Sequence, residues 1–295
     1  MGDISDYPKL MDMKLFKNKK LKKVVCGNNH TIVLADDSVF AWGNSESGQT
    51  GINPRSKKKK DELTPSLLVK QSVVDVFTGS NHSFLIQEKQ GRKVIKGWGL
   101  NKNGQLGVGN KENFWYPFEI EYFTENNIRI KSASAGDHHS LFLSEDSQLY
   151  ACGRNVEGQC GIILDSQPVI TQTQGPTNQT VAISEVVETI QDNRENVENS
   201  NPQPVTEKTD SKDNNSDYDV PVKIEFFNNS NIKINNIYSC TGYNYALDSN
   251  DNQAYSWGDS YCYILGNKKT MGCLRTPFAI PKNFFFNLKV DHVFQ

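Results

Sequence analysis

The chain has 295 residues, room for one large domain or two ordinary ones, with 32 basic and 34 acidic side chains and a formal net charge of −2. That balance excludes a global attraction to nucleic acid or to an anionic membrane, so any such binding has to come from a local cluster. With 36% hydrophobic residues and a mean hydropathy of −0.59, the sequence is more polar than a compact domain of this length, which points to an unfolded stretch that dilutes the average.

The opening "MGDISDYPKL" lacks the charged start and apolar run of a secretory leader, and no apolar stretch is long enough to cross a bilayer. An intracellular protein, cytoplasmic or nuclear, is expected. The first predicted element is a strand in "PKLMDMKLF" from Pro8, followed by a basic cluster, "KNKKLKK" (Lys17 to Lys23). A first full unit, about residues 17–69, then passes through "GNNH" (Gly27 to His30), the step Trp42-Gly43, "GQTG" (Gly48 to Gly51) and "PSLLV" from Pro65. Between the last two lies a second basic cluster, "RSKKKK", with Arg55, Lys57, Lys58, Lys59 and Lys60.

The second unit, about 70–123, repeats the order with "GSNH" (Gly79 to His82), Trp98-Gly99, "GQLG" (Gly104 to Gly107) and "PFEIEYF" from Pro117. The third, about 124–227, has "GDHH" (Gly136 to His139), Cys152-Gly153, "GQCG" (Gly158 to Gly161) and "PVKIEFF" from Pro221. The fourth, about 228–286, is worn: "GYNY" (Gly242 to Tyr245), Trp257-Gly258, "YILG" ending at Gly266, and "PFAIPKNF" from Pro277. A partial strand, 288–295, closes the sequence with "KVDHVFQ", an echo of "VVDVFTG" at Val73 to Gly79.

From the GQxG element to the Pro takes 14 residues in the first unit (Gly51 to Pro65) and 60 in the third (Gly161 to Pro221). The excess, residues 165–219, is mostly Asn, Gln, Ser, Thr, Pro and acid, and cannot bury enough apolar surface to offset chain entropy. It predicts a disordered acidic insertion within the third repeat, where a loop expansion costs little free energy. Only "VAISEVVETI" (Val181 to Ile190) has helical spacing.

Between landmarks the residues are β-branched or aromatic with a period of two, as in "HTIVL" and "QLYACG", and the breaks "ADDS", "SEDS" and "SNDN" carry hairpin chemistry. Each unit therefore predicts an antiparallel sheet of about four strands, the size of a propeller blade, with no strong helix. The glycines mark bulges, positive φ or close backbone approach. The recurring Trp fills the wedge between neighbouring sheets, and Cys152 stands in the same place with less volume.

Gly-x-x-His, then Trp-Gly, then GQxG five residues on, then Pro, at a period of about fifty residues, resembles the regulator of chromosome condensation repeat family. The resemblance implies an all-β propeller and a role as an interaction platform. Members include exchange factors for Ran-type small GTPases, chromatin binders, and adaptor domains. Members form seven-bladed rings, so about four to five blades here predict an incomplete ring. Either the sequence is a piece of a longer gene, or it completes itself with a partner or by oligomerising, or it closes as a smaller ring. The first is favoured because the sequence ends in mid-repeat.

His30, His82 and His139 could be imagined as a metal cluster, but no acidic residue recurs beside them and the fourth copy has Tyr245, so no metal or cofactor is expected; the resemblance implies a structural hydrogen-bonding place for this His. Ser83 and Ser140 follow His directly, but strand neighbours point to opposite faces, so no nucleophile is expected. No catalytic residue is assigned. The leading expectation is a non-enzymatic protein-interaction scaffold. Its alternatives are guanine nucleotide exchange on a Ran-type small GTPase and chromatin binding through Arg55 and Lys57 to Lys60.

Overall fold

The computed structural model describes residues 16, 18–52, 64–162, 217–249, 253–259, 264–266 and 272–281. The predicted strands from Pro8 and over 288–295, the Arg55 to Lys60 cluster and nearly all of the insertion lie outside the described residues.

The described residues form four four-stranded antiparallel sheets. The first contains β1 (Leu21–Cys26), β2 (His30–Ala35), β3 (Ser38–Gly43) and β4 (Ser66–Val69); the second β5 (Val73–Thr78), β6 (His82–Lys89), β7 (Arg92–Gly99) and β8 (Phe114–Glu119). The third has β9 (Ile130–Ala135), β10 (His139–Ser144), β11 (Leu149–Gly153) and β12 (Tyr218–Lys223); the fourth β13 (Ile234–Ser239), β14 (Tyr243–Asp248), β15 (Ala254–Gly258) and β16 (Leu274–Ala279). In each sheet the strands lie side by side in chain order. Short turns make this possible. Asp36 at φ +53° sits in the two-residue turn between β2 and β3, and Gln90-Gly91, at +53° and +73°, between β6 and β7. Positive φ at the turn matches the twist of the flanking strands.

The first strands touch their neighbours in sequence, β1 with β5, β5 with β9 and β9 with β13, so the sheets converge at that edge and fan outward toward β4, β8, β12 and β16. This is a propeller arrangement. Backbone bonds tie the inner edge together: Asn28 N–H donates to Ser80 O (3.0 Å), Ser80 N–H to Gly136 O (3.1 Å) and Asp137 N–H to Thr241 O (3.1 Å). A middle strand that lies between two blades is covered on both faces. The run "HSLFLS" of β10 is buried throughout, with Leu141 and Leu143 facing the fourth sheet's Ala246 and Trp257 while Phe142 meets Phe84 of the second, edge to face at 5.2 Å. A strand between two packed sheets reads as a continuous apolar run rather than an alternating one.

Two places differ from expectation. Pro65 directly precedes β4, but the prolines of the later runs stand within strands. Pro117, Pro221 and Pro277 lie inside β8, β12 and β16, each the outermost strand of its sheet, where a missing N–H removes no ladder bond. The apolar run after Pro117 and after Pro221 then leaves the sheet as one helical turn, α1 (Glu121–Glu125) and α2 (Glu225–Asn229). Ile120 and Phe123, and again Ile224 and Phe227, are fully buried pairs spaced three apart. That spacing shares a face on a helix but not on a strand.

Candidate interaction surface

What holds one blade to the next is a repeated polar latch. His30 Nε2 lies 2.9 Å from Ser83 Oγ, His82 Nε2 2.8 Å from Ser140 Oγ, and His139 Nε2 2.7 Å from Asn244 Oδ1. Ser83 and Ser140 commit their hydroxyl protons to Gln49 O (3.1 Å) and Gln105 O (2.7 Å), so in both cases the imidazole Nε2 is the donor. Asn244 Nδ2 likewise donates to Gln159 O at 2.7 Å. Nδ1 of His30 and of His82 is then the unprotonated nitrogen, and neither has a hydrogen-bond partner among the described residues.

The same three carbonyls each accept a second bond from the following blade. Trp98 Nε1 donates to Gln49 O and Trp257 Nε1 to Gln159 O, both at 3.0 Å, and Cys152 Sγ reaches Gln105 O at 3.2 Å. The Cys thus keeps the Trp's bond while giving up its volume. The GQxG loop explains itself from this geometry. Each Gln side chain accepts a loop N–H two residues back (Ser47, Asn103 and Glu157, at 2.9, 3.0 and 3.0 Å), which holds its main-chain carbonyl toward the next blade. The Gly before it, at φ +80° to +86°, is where the next blade's outer strand passes. A Cβ on Gly104 would stand 2.5 Å from Asp219 Cα, and one on Gly158 2.4 Å from Arg275 Cα.

In Gly-x-x-His the imidazole folds back over its own Gly. A Cβ on Gly27, Gly79 or Gly136 would meet Cε1 of His30, His82 or His139 at 2.1, 2.6 or 2.4 Å. Strand register corrects the fourth copy. His30, His82 and His139 pair with Gly43, Gly99 and Gly153, and the residue paired with Gly258 is Tyr243, not Tyr245. Cys240 N–H bonds Tyr243 O at 2.9 Å, as Gly27 N–H bonds His30 O at 2.9 Å. The fourth landmark is therefore Cys240 to Tyr243, two residues before the "GYNY" reading, and Gly242 holds the place of Asn29, Asn81 and His138. The Tyr243 hydroxyl instead bonds the Cys240 thiol, and burial together with that bond pushes it up to about 12.

Burial dominates the titration of the latch. It lowers His30 to about 4, His82 to about 3 and His139 to about 4. The Cys152 and Cys160 thiols are pushed far up for the same reason. Desolvation favours the uncharged form, so the rings stay neutral and the two cysteines stay thiols rather than activated thiolates. Among the described residues no group of three or more His, Cys, Asp or Glu converges.

Much of what faces solvent lies at the two ends of the sheets. The end carrying the Gly-x-x-His turns and GQxG loops is polar and cross-braced: Lys111 Nζ is 3.4 Å from Asp217, Asn103 Nδ2 3.0 Å from the same carboxylate, and Arg154 pairs with Glu157 at 2.8 Å. The chain leaves this end at Ile52 and Ile162 toward the basic cluster and the insertion, which lie outside the described residues. The opposite end has a groove of about 470 Å³ between the β6–β7 hairpin and α1, with Arg92, Lys93, Arg129 and Glu145 in its walls. Lys93 and Arg129 both pair with Glu145, at 2.8 and 3.3 Å. These charges stand far apart in sequence and carry no motif, so nothing marked them in advance.

Comparison with known proteins agrees with this geometry. Two profiles described as the regulator of chromosome condensation (RCC1) repeat match residues 36–86 and 97–143, and residues 21–49 and 130–159. Residues 21–86 and 97–159 thus match RCC1 repeats. It is 31% identical over 159 residues to the guanine nucleotide exchange factor SRM1 of Saccharomyces cerevisiae, covering 53% of this chain and 32% of that one. It is 30% identical over 167 residues to the ultraviolet-B receptor UVR8 of Arabidopsis thaliana, covering 55% and 36%. The crystal structure of yeast Prp20p superimposes with a TM-score of 0.65 at 23% identity, over 93% of this chain and 52% of that one; human WBSCR16 gives 0.64 at 19%, over 91% and 54%. The chain thus spans about a third of these curated relatives and half of these solved propellers. Propeller blades are what the described residues form. No helix among them is long and apolar enough to cross a membrane.

Proposed function

We propose that this protein is a non-enzymatic protein-interaction scaffold inside the cell, cytoplasmic or nuclear, whose landmark-end loops grip a protein partner. The observation that carries the reading is the fate of the reactive side chains. His30, His82, His139, Ser83, Ser140 and Cys152 are turned inward and bonded across blade junctions. What remains for recognition is a polar rim on a rigid frame, the usual division of labour between loops and scaffold.

The similarity to the yeast exchange factor favours a second reading, nucleotide exchange on a Ran-type small GTPase. In that case a rim loop enters the phosphate site and speeds nucleotide release. The deciding experiment mixes the full chain with a panel of small GTPases loaded with fluorescent nucleotide. The scaffold reading expects release at the intrinsic rate with every member; a tenfold or greater acceleration with any of them replaces it by the exchange reading. Binding to chromatin through Arg55 and Lys57 to Lys60 would instead show as DNA affinity falling steeply with salt.

A further inference from the structure

The blade junctions define what a blade needs on each face, and two faces lack it. Toward the preceding blade, the second to fourth blades present a residue on the middle strand and a Trp or Cys on the third. Both donate to a GQxG carbonyl of that preceding blade. The first blade presents Thr31 and Trp42 at these places, paired across β2 and β3. Trp98, Cys152 and Trp257 are completely buried, whereas Trp42 is only half-buried and its indole N–H has no acceptor among the described residues. On the same face Phe16 covers Phe40, but Val24 is 56% and Leu67 51% exposed.

The fourth blade shows the reciprocal face. Ile264 O occupies the place of Gln49, Gln105 and Gln159 O, which each accept two bonds from the following blade; among the described residues it accepts one, from the Tyr245 hydroxyl of its own blade. Tyr245 stands where the buried junctions have Ile32, Phe84 and Leu141, and Tyr238 beside it and Tyr243 share its face. All three tyrosines are half-buried. Tyrosine suits a face that is apolar in its body and polar at its tip, as at protein interfaces.

We propose that the Trp42 face of the first blade docks on the tyrosine face of the fourth blade in a second copy of this chain, with the Trp42 indole donating to the open side of Ile264 O. The contact would reproduce one element of the three internal junctions, the indole-to-carbonyl bond of Trp98 and Trp257. Two copies related by a twofold axis satisfy both faces of each with none left over, which is the commonest closed symmetry.

Sedimentation of the full chain at concentrations up to about 100 μM tests this, the range in which a weak interface of this kind is populated. The expected species has twice the 33.2 kDa of one chain. Val24→Asp on one face and Tyr243→Asp on the other each weaken dimerisation at least about tenfold while keeping the β-sheet circular dichroism and a cooperative melt. Should V24D lose its fold, Leu67→Asp reads the same face. Mixing the V24D and Y243D chains leaves one intact junction and brings back a dimer. A wild-type chain that stays monomeric, dimers indifferent to both substitutions, or open-ended growth in place of a dimer would each overturn the proposal. The first outcome hands the face to the chain's own residues or to a different partner.

Discussion

The junction between the third and fourth blades and the fourth blade's own outer face are built from the same landmark in two versions. At the junction, His139 folds over Gly136 and reaches Asn244 across the gap; on the outer face Tyr243 stands in the His place and Cys240 in the Gly place. The pair changes together because an imidazole lying over the α-carbon leaves no room for a Cβ, while a longer phenol directed to a thiol does. What recurs in this fold is a bonding pattern, and residue identity follows from it.

Lowering the pH attacks all the His junctions at once and is expected to have the largest effect. His30, His82 and His139 are held neutral by burial, with folded values of about 4, 3 and 4 against 6.5 unfolded. The unfolded chain takes up protons first as pH falls below about 6.5, so their contribution is complete above that point and drains away toward pH 4. Urea midpoints measured from pH 7.5 to 4.5 should fall monotonically, and a flat profile would show that the rings are not buried as described.

Substitution at the two glycines sharpens the contrast. A Cβ at Gly136 would lie 2.3 Å from Cys240 O and 2.4 Å from the His139 ring, whereas at Gly242 the nearest atom is Asp259 Cβ at 3.3 Å. Gly136→Ala should cost on the order of 4 kcal/mol and Gly242→Ala about 1 kcal/mol or less in chemical denaturation. Similar losses at both sites would return the landmark to Gly242.

Much of this was legible in the sequence, and the exceptions share a cause. The four units, their strands and the inward place of Trp98, Cys152 and Trp257 follow from glycines and large hydrophobes at short fixed offsets. The latch did not show, because its partners are 53, 58 and 105 residues apart and no local spacing relates His82 to Ser140. The opposite-face argument for Ser83 and Ser140 holds within one strand and is silent about the next blade. The fourth copy was misplaced because Gly242 is a conspicuous glycine. The Pro-to-landmark distance held the better signal: 19 residues separate Pro8 from Gly27 and Pro117 from Gly136, and 19 after Pro221 lies Cys240. α1 and α2 were hidden in the change from a two-residue to a three-residue apolar spacing at Ile120 and Ile224.

Two smaller effects test the volume side of the comparison. Cys152→Trp restores the common residue, but at this place Gly107 faces both Cys152 Sγ and the Pro221 ring, at 3.2 and 3.1 Å from an added Cβ. The site is already filled, so overpacking should cost about 1–3 kcal/mol. Cys152→Ser keeps a donor toward Gln105 O and should cost about 1 kcal/mol. Thermal melts rank the two, and a stabilised C152W would mean the third blade has an unfilled wedge.

The cross-blade latch is tested most directly by a double-mutant cycle on His139 and Asn244, read by urea denaturation of the single and double alanine variants. A coupling of at least about 1 kcal/mol between the two side chains is predicted, since each leaves the other's buried polar group unpaired. Effects that add to within about 0.4 kcal/mol would contradict a bond between the blades at that position.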